Sequence, residues 1–161
     1  MDKLTAAQRS RLMSSVRSAN TAPEMAVRSL VHRMGYRYRL YVKELPGKPD
    51  LVFPRRRKII LVNGCFWHGH SCRSGRNRPS SNNPYWALKL ERNKKRDRAA
   101  KRKLRRLGWN VLVLWECELN DEAALQERIG NFLVAAHHGQ AGDAQQRQTN
   151  HHERRMPAAS R

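Results

Sequence analysis

Acidic residues are scarce in this chain. It has 13 Asp and Glu against 33 Lys and Arg, for a formal net charge of +20. A charge that large repels itself unless the surface meets an anionic partner, and nucleic acid is the first polyanion to consider. A ribosomal-type or merely basic surface would show the same imbalance. Long apolar runs are absent as well. Nothing approaches the roughly 18 residues of a membrane span. The polar start, Met1-Asp2-Lys3-Leu4, has no apolar stretch of the secretory kind. An intracellular protein is expected. Cysteine is rare and odd in number, three in all, which argues against a disulfide framework and for reduced thiols. There is no internal repeat, and 161 residues suit one domain with an ordinary core.

What is present is a clear run of elements. The pattern predicts a helix over 5–18 with Leu12, Met13 and Val16 as its apolar positions, polar enough otherwise to lie across a partner. A second helix opens at Thr21, a capping residue, has Pro23 in its first turn and closes at Gly35. Glu24 in that first turn suits the positive end of the helix dipole. Strand-like runs follow at 36–42, 50–53 and 58–62. The last is almost wholly apolar, as a central strand buried on both faces would be. The turn Leu45-Pro46-Gly47-Lys48-Pro49 puts Asp50 at a strand start.

A polar loop over 73–83 leads to a long helix over 84–107, ended by Gly108. Its inward stripe runs Trp86, Leu90, Asn93, Asp97, Ala100, Leu104 and Leu107, so two polar residues interrupt an apolar face. Lys and Arg crowd the opposite face. A strand over 109–115 ends at Glu116-Cys117, and a last helix covers 121–133, capped by Asp121. Beyond 135 the chain loses periodicity and reads as a disordered polar tail. Its histidines are read as composition, not as a metal site. The order predicts an α/β fold, a mixed central sheet flanked by helices, with 1–20 a helical contact segment, 21–134 the domain and 135–161 the tail.

The densest chemistry is Cys65-Phe66-Trp67-His68-Gly69-His70-Ser71-Cys72. Thiolates and imidazole are the ligands of a closed, tetrahedral zinc site. Cys65, Cys72 and Cys117 with one histidine would complete a Cys3His set, using every cysteine; by spacing, either His68 or His70 could be the fourth ligand. The bland alternative is three ordinary buried thiols. Whichever histidine is spared stands beside a rigid loop, where a catalytic imidazole would be useful. The aromatics beside it, Phe66 and Trp67, could equally be core.

Pro49-Asp50 on one strand, followed by the end of the next at Val62-Asn63-Gly64, is similar to the metal-holding arrangement of restriction-endonuclease-like cores. The usual second carboxylate and lysine are missing here. A backbone carbonyl and His68 would have to replace them. The resemblance becomes specific through Leu45-Pro46-Gly47-Lys48-Pro49-Asp50, Gly64-Cys65-Phe66-Trp67-His68 with His70 and Cys72, then Trp86, Lys89, Asn93, Arg96-Asp97-Arg98, Leu107-Gly108-Trp109 and Trp115-Glu116-Cys117. Over roughly residues 5–133 the chain resembles the very short patch repair endonucleases. These bacterial enzymes nick DNA at T·G mismatches left by deamination of 5-methylcytosine.

That resemblance implies a restriction-endonuclease-like fold with structural Zn²⁺ and catalytic Mg²⁺. Asp50 and the Val62 carbonyl would hold Mg²⁺, and His68 would activate water. Glu24 and Asp97 would be supporting acids. Cys65, His70, Cys72 and Cys117 would hold zinc. Phe66, Trp67 and Trp86 would wedge beside the mismatch from the major groove and Met13 from the minor groove, while Lys89 and Asn93 read the mismatched pair. The partners implied are duplex DNA with a T·G mismatch and mismatch-repair proteins, for a monomer in the bacterial cytoplasm associated with the nucleoid. Physical chemistry is compatible with these roles. An aromatic stacks on a base for about 1–3 kcal/mol, an apolar wedge can unstack a weak step, and a mismatch is cheaper to open than a matched pair. Two positions depart from the family pattern. Asn63 stands where a histidine is common, and Val62 where a hydroxyl residue is common. Rival readings are a related nuclease acting on matched or branched DNA, and a zinc-stabilised DNA-binding module without catalysis.

Overall fold

The computed structural model describes residues 19–77 and 83–135. The helix expected over 5–18, with Met13, and the tail beyond 135 lie outside the described residues. Helix α1 spans Ala22–Arg33. Thr21 is its N-cap, Pro23 occupies its first turn, where an N–H would have no partner, and Gly35 follows its end at φ +86°. Strands β1 (Leu51–Phe53), β2 (Lys58–Asn63) and β3 (Asn110–Trp115) form the sheet. Two further helices lie between β2 and β3: the short α2 (Arg73–Arg76), inside the expected loop, and the long α3 (Asn83–Arg106). A 3-10 segment, Glu116–Asn120, leads from β3 to α4 (Glu122–Val134), whose N-cap Asp121 accepts the Ala124 N–H at 3.0 Å.

The sheet has the order β1-β2-β3, antiparallel between the first two and parallel between the last two. The mixed sheet is therefore present, with three strands in place of four among the described residues. The run over 36–42 contributes one bridge, in which Arg39 and Val52 exchange both backbone hydrogen bonds at 2.8 and 3.0 Å. Alternate residues of a strand face opposite edges, so in the three residues of β1 only Val52 can bond outward. Tyr41, at φ +53°, then turns the chain away.

Both faces of the sheet are covered. Leu51, Phe53, Ile60 and Val62 meet Val27, Leu30 and Val31 of α1 and Leu125, Ile129 and Leu133 of α4. On the other face Val52 and Ile59 meet Leu104 of α3 and Trp109. This is why β2 is apolar throughout its middle. Its first residue, Lys58, is nevertheless buried. Its ammonium donates to the carbonyls of Phe132, Leu133 and Ala135 at 2.5, 3.1 and 2.5 Å, closing the negative end of α4. Burial pulls its pKa below the usual lysine value, with Arg56 adding to the fall.

The stripe expected along α3 holds at Trp86, Leu90 and Leu104, which are buried, and at the half-buried Asn93, Asp97 and Ala100. It fails at Leu107, which is 51% exposed because the helix ends at Arg106 and Gly108 turns the chain at φ +78°. No helix among the described residues is long and apolar enough to cross a membrane.

Candidate active site and metal centre

The open ends of β1 and β2 border a cavity of about 620 Å³ lined by Glu24, Asp50, Val62, Asn63, His68 and Asp97, with α3 as its far wall. Asp50 immediately precedes β1, and its Oδ2 accepts the Val62 N–H at 2.7 Å. The register explains this bond. Leu51 lies opposite Ile60, so two residues further Pro49 lies opposite Val62. Proline has no N–H to offer the Val62 carbonyl, and the Asp50 side chain takes the Val62 amide instead. One residue's N–H and C=O leave the same edge of a strand. The Val62 carbonyl thus faces the Asp50 side with no ladder donor opposite. A carboxylate and a main-chain oxygen together fit a small, oxygen-seeking dication such as Mg²⁺, which keeps several waters. Burial pushes the Asp50 carboxyl up from 3.8 to about 6; the Val62 N–H opposes the rise, the charge of Glu24 adds to it, and Arg28 and His68 oppose it.

His68 pairs through Nδ1 with Asp97 Oδ2 in a very short contact. That leaves Nε2 as the ring atom available to the cavity that His68 lines. Asp97 thus interrupts the apolar stripe of α3 because its partner is an imidazole. Glu24, 6% exposed, is held by the Asn20 N–H at 2.9 Å, the Thr21 hydroxyl at 3.0 Å and Arg28 at 3.1 Å. It serves the helix start and lines the cavity at once. Arg28 was not singled out in the sequence, although an acid and an arginine four residues apart on one helix are a readable pair. Its Nε has no partner among the described residues.

The two loop histidines part company. His70, with Cys65, Cys72 and Cys117, brings four ligand atoms within 4.8 Å of one another. His70 Nδ1 lies 3.7 Å from Cys65 Sγ and 3.5 Å from Cys117 Sγ. A tetrahedral zinc with Zn–S near 2.3 Å and Zn–N near 2.0 Å sets its ligands about 3.5–3.8 Å apart. The donor set and its spacing therefore fit such an ion. Burial pushes the Cys65 thiol up to about 12. The Gly75 N–H, donating to sulphur at 3.4 Å, pulls Cys72 down to about 6. Burial raises Cys117.

Three features that frame this cluster were given no role in the sequence reading. Trp115 stacks on His70 with centroids 4.2 Å apart. Glu116 accepts the Cys65 N–H at 3.2 Å. Gly75 approaches the loop so closely that a Cβ there would stand 2.2 Å from the His70 carbonyl oxygen. The first two adjoin Cys117 in sequence, which is the one available hint.

Between the first two ligands, Phe66 and Trp67 form an aromatic group with Trp86, at centroid distances of 5.0 Å between the first pair and 5.5 and 6.2 Å to Trp86. Phe66 and Trp67 are half-buried. Trp86 is 4% exposed, so it backs the other two from beneath instead of projecting, and its Nε1 finds no partner among the described residues. Lys89 lies over the rings of Trp67 and Trp86 at 5.6 and 5.4 Å. Asn93 donates to the Trp67 carbonyl at 3.0 Å, tying the aromatic loop to α3.

The family model of DNA mismatch endonuclease Vsr matches residues 1–74. The type II nicking enzyme V.XorIIP of Xanthomonas oryzae pv. oryzae is 52% identical over 132 residues, 82% of this chain and 96% of that one. V.NmeAIP of Neisseria meningitidis, also a type II nicking enzyme, is 38% identical over 132 residues, covering 82% and 94%. The DNA mismatch endonuclease Vsr of Escherichia coli K12 is 37% identical over 133 residues, covering 79% and 84%. Identity at this level across nearly the whole of each relative leaves no doubt of kinship: the chain belongs to the family of Vsr DNA mismatch endonucleases.

Proposed function

We propose that this protein is a Mg²⁺-dependent, zinc-stabilised endonuclease that nicks one strand of duplex DNA on the 5′ side of the thymine in a T·G mismatch. The product strand would carry a 3′-hydroxyl and a 5′-phosphate, and the nick would initiate very short patch repair. The observation that carries the proposal is the juxtaposition of Asp50, Val62 and the His68–Asp97 pair around one cavity, beside an aromatic loop framed by a metal-ligand set. The relatives named as nicking enzymes support single-strand cleavage.

Asp50 and the Val62 carbonyl would hold Mg²⁺, which supplies positive charge against the reacting phosphate. His68 Nε2 takes a proton from the attacking water. Asp97 fixes the ring through Nδ1 and stabilises the protonated imidazole, as the buried acid of a hydrolytic triad does. The bond from phosphorus to the 3′ oxygen breaks, and that oxygen takes a proton from solvent water to become the 3′-hydroxyl. Glu24 orients water on the near wall. Phe66 and Trp67, backed by Trp86, enter the stack beside the mismatch, while Lys89 leaves its place over the rings and reads the pair together with Asn93. Zinc at Cys65, His70, Cys72 and Cys117 holds the loop that presents both the wedge and the imidazole.

The test is nicking of end-labelled T·G, matched and branched duplexes, with and without Mg²⁺. One nick confined to the thymine strand of the T·G duplex, and only with Mg²⁺, is expected. Equal cleavage of matched or branched DNA would instead favour a related nuclease, and binding without cleavage a non-catalytic module.

A further inference from the structure

The cavity holds three carboxylates, Glu24, Asp50 and Asp97, yet on the reading just given it must admit a phosphodiester, itself an anion. Four cationic side chains line it: Lys48, Arg96, Lys101 and Lys103. Three of them are exposed; Lys101 is half-buried. Arg96 has an acidic neighbour in Asp97, at 3.9 Å. Lys101 makes neither a hydrogen bond nor an ion pair among the described residues.

Its place is set by close packing. A Cβ on Gly47 would stand 2.7 Å from the Ala100 Cβ, so the turn that delivers Asp50 rests directly on α3 at the residue before Lys101. Lys101 is the fourth residue after Asp97, which puts them on neighbouring positions of one helix face, and Asp97 holds His68. A half-buried lysine without a bound carboxylate, on the wall that also carries the imidazole's partner, is placed for an incoming anion. A compact ammonium with three donors suits a tetrahedral phosphate from any approach.

We propose that Lys101 contacts the substrate, its ammonium taking a non-bridging oxygen of the phosphate to be cleaved. Helix α3 thereby supplies a cation that the strand following Asp50 lacks.

The deciding readout needs no catalysis. Affinity for a T·G duplex is measured in Mg²⁺-free buffer with a natural linkage, and again with a neutral methylphosphonate, at the position 5′ to the mismatched thymine. Wild type and Lys101→Met are compared, with Arg102→Met as a variant of equal charge from an exposed position outside the cavity lining. On the natural duplex Lys101→Met should bind about tenfold more weakly. On the methylphosphonate duplex it should bind as wild type does, because both changes remove one interaction. Arg102→Met should show the same ratio to wild type on both duplexes. In single-turnover nicking with Mg²⁺, Lys101→Met should be slower by about a hundredfold, and Lys101→Arg should recover part of the loss. A loss for Lys101→Met that is equal on both duplexes would overturn the proposal, making the lysine a counter-charge for the carboxylates. Wild-type protein that fails to nick the T·G duplex at that linkage would overturn the functional reading, and the proposal with it. That failure is visible in the wild-type lanes alone.

Discussion

Asp50 carries the sharpest expectations at the scale of single residues. Its carboxyl binds its proton more tightly in the folded protein than in the unfolded chain. The stability this contributes is complete below 3.8 and is lost as pH rises through about 6. Without Mg²⁺, Asp50→Asn should therefore be more stable than wild type above pH 6, by up to roughly 3 kcal/mol. The gap should close toward pH 4. Thermal unfolding across that range checks the sign, and nicking by this variant should be undetectable. The two loop histidines should separate in one experiment. His68→Ala should cut the single-turnover rate by about 10²–10⁴ and keep its zinc. His70→Ala should lose zinc and stability together, as read by metal content and melting. Zinc lost from the His68 variant instead would mean that the roles are exchanged. That these residues would gather was legible, since Cys, His and Asp in such density have few uses apart from a site. The partner of each histidine was not, because His68 and His70 are equivalent by spacing and differ only in whether α3 or β3 stands behind them.

Among the elements, β2 and its surroundings have the clearest consequences. Lys58 is buried at the start of β2 and closes three carbonyls at the end of α4. Lys58→Met should cost about 1.5–3 kcal/mol, the usual range for hydrogen bonds to a charged group, measured by denaturant titration. Zinc content should not change. Gly75→Ala should act on the opposite end. Its Cβ would strike the His70 carbonyl oxygen, a backbone atom that cannot yield as cheaply as the end of a side chain. Zinc affinity should fall while the sheet core survives. Helix caps and the apolar middle of β2 were readable because they depend on neighbours in sequence. The missing strand at 36–42 was not. Its aromatic content favours an extended chain, but β1 offers only one outward-facing residue to pair with, and the length of β1 is set by Pro54 beyond it and the Asp50 turn before it.

Across the whole molecule the net charge of +20 should set the affinity for DNA more than any single contact does. Binding to matched duplex should weaken steeply and linearly on a logarithmic salt scale. The extra affinity for the T·G duplex should be far less salt-dependent, since wedging and base contacts release few counterions. Parallel titrations of both duplexes from low to physiological salt would show it. A mismatch preference that disappears at the same slope would exclude a wedge as its source.

Composition, period and motif by themselves pointed to an α/β chain with an anionic partner, a thiol–imidazole set able to hold a metal and a strand-start aspartate. They also carried the family, through motifs spread along most of the chain. These properties are local, or are sums over residues, so chain order suffices to state them. Which histidine joins the cysteines, and that Asp97 answers His68, waited on tertiary structure. So did the placing of Lys101 on the wall opposite Asp50, and the burial of Trp86 beneath the aromatics it was expected to accompany. Each is a contact between segments distant in sequence, and its existence depends on how α3 lies across the sheet. Gly47 against Ala100 is one contact that fits that crossing, a close approach that no pattern along the chain announces.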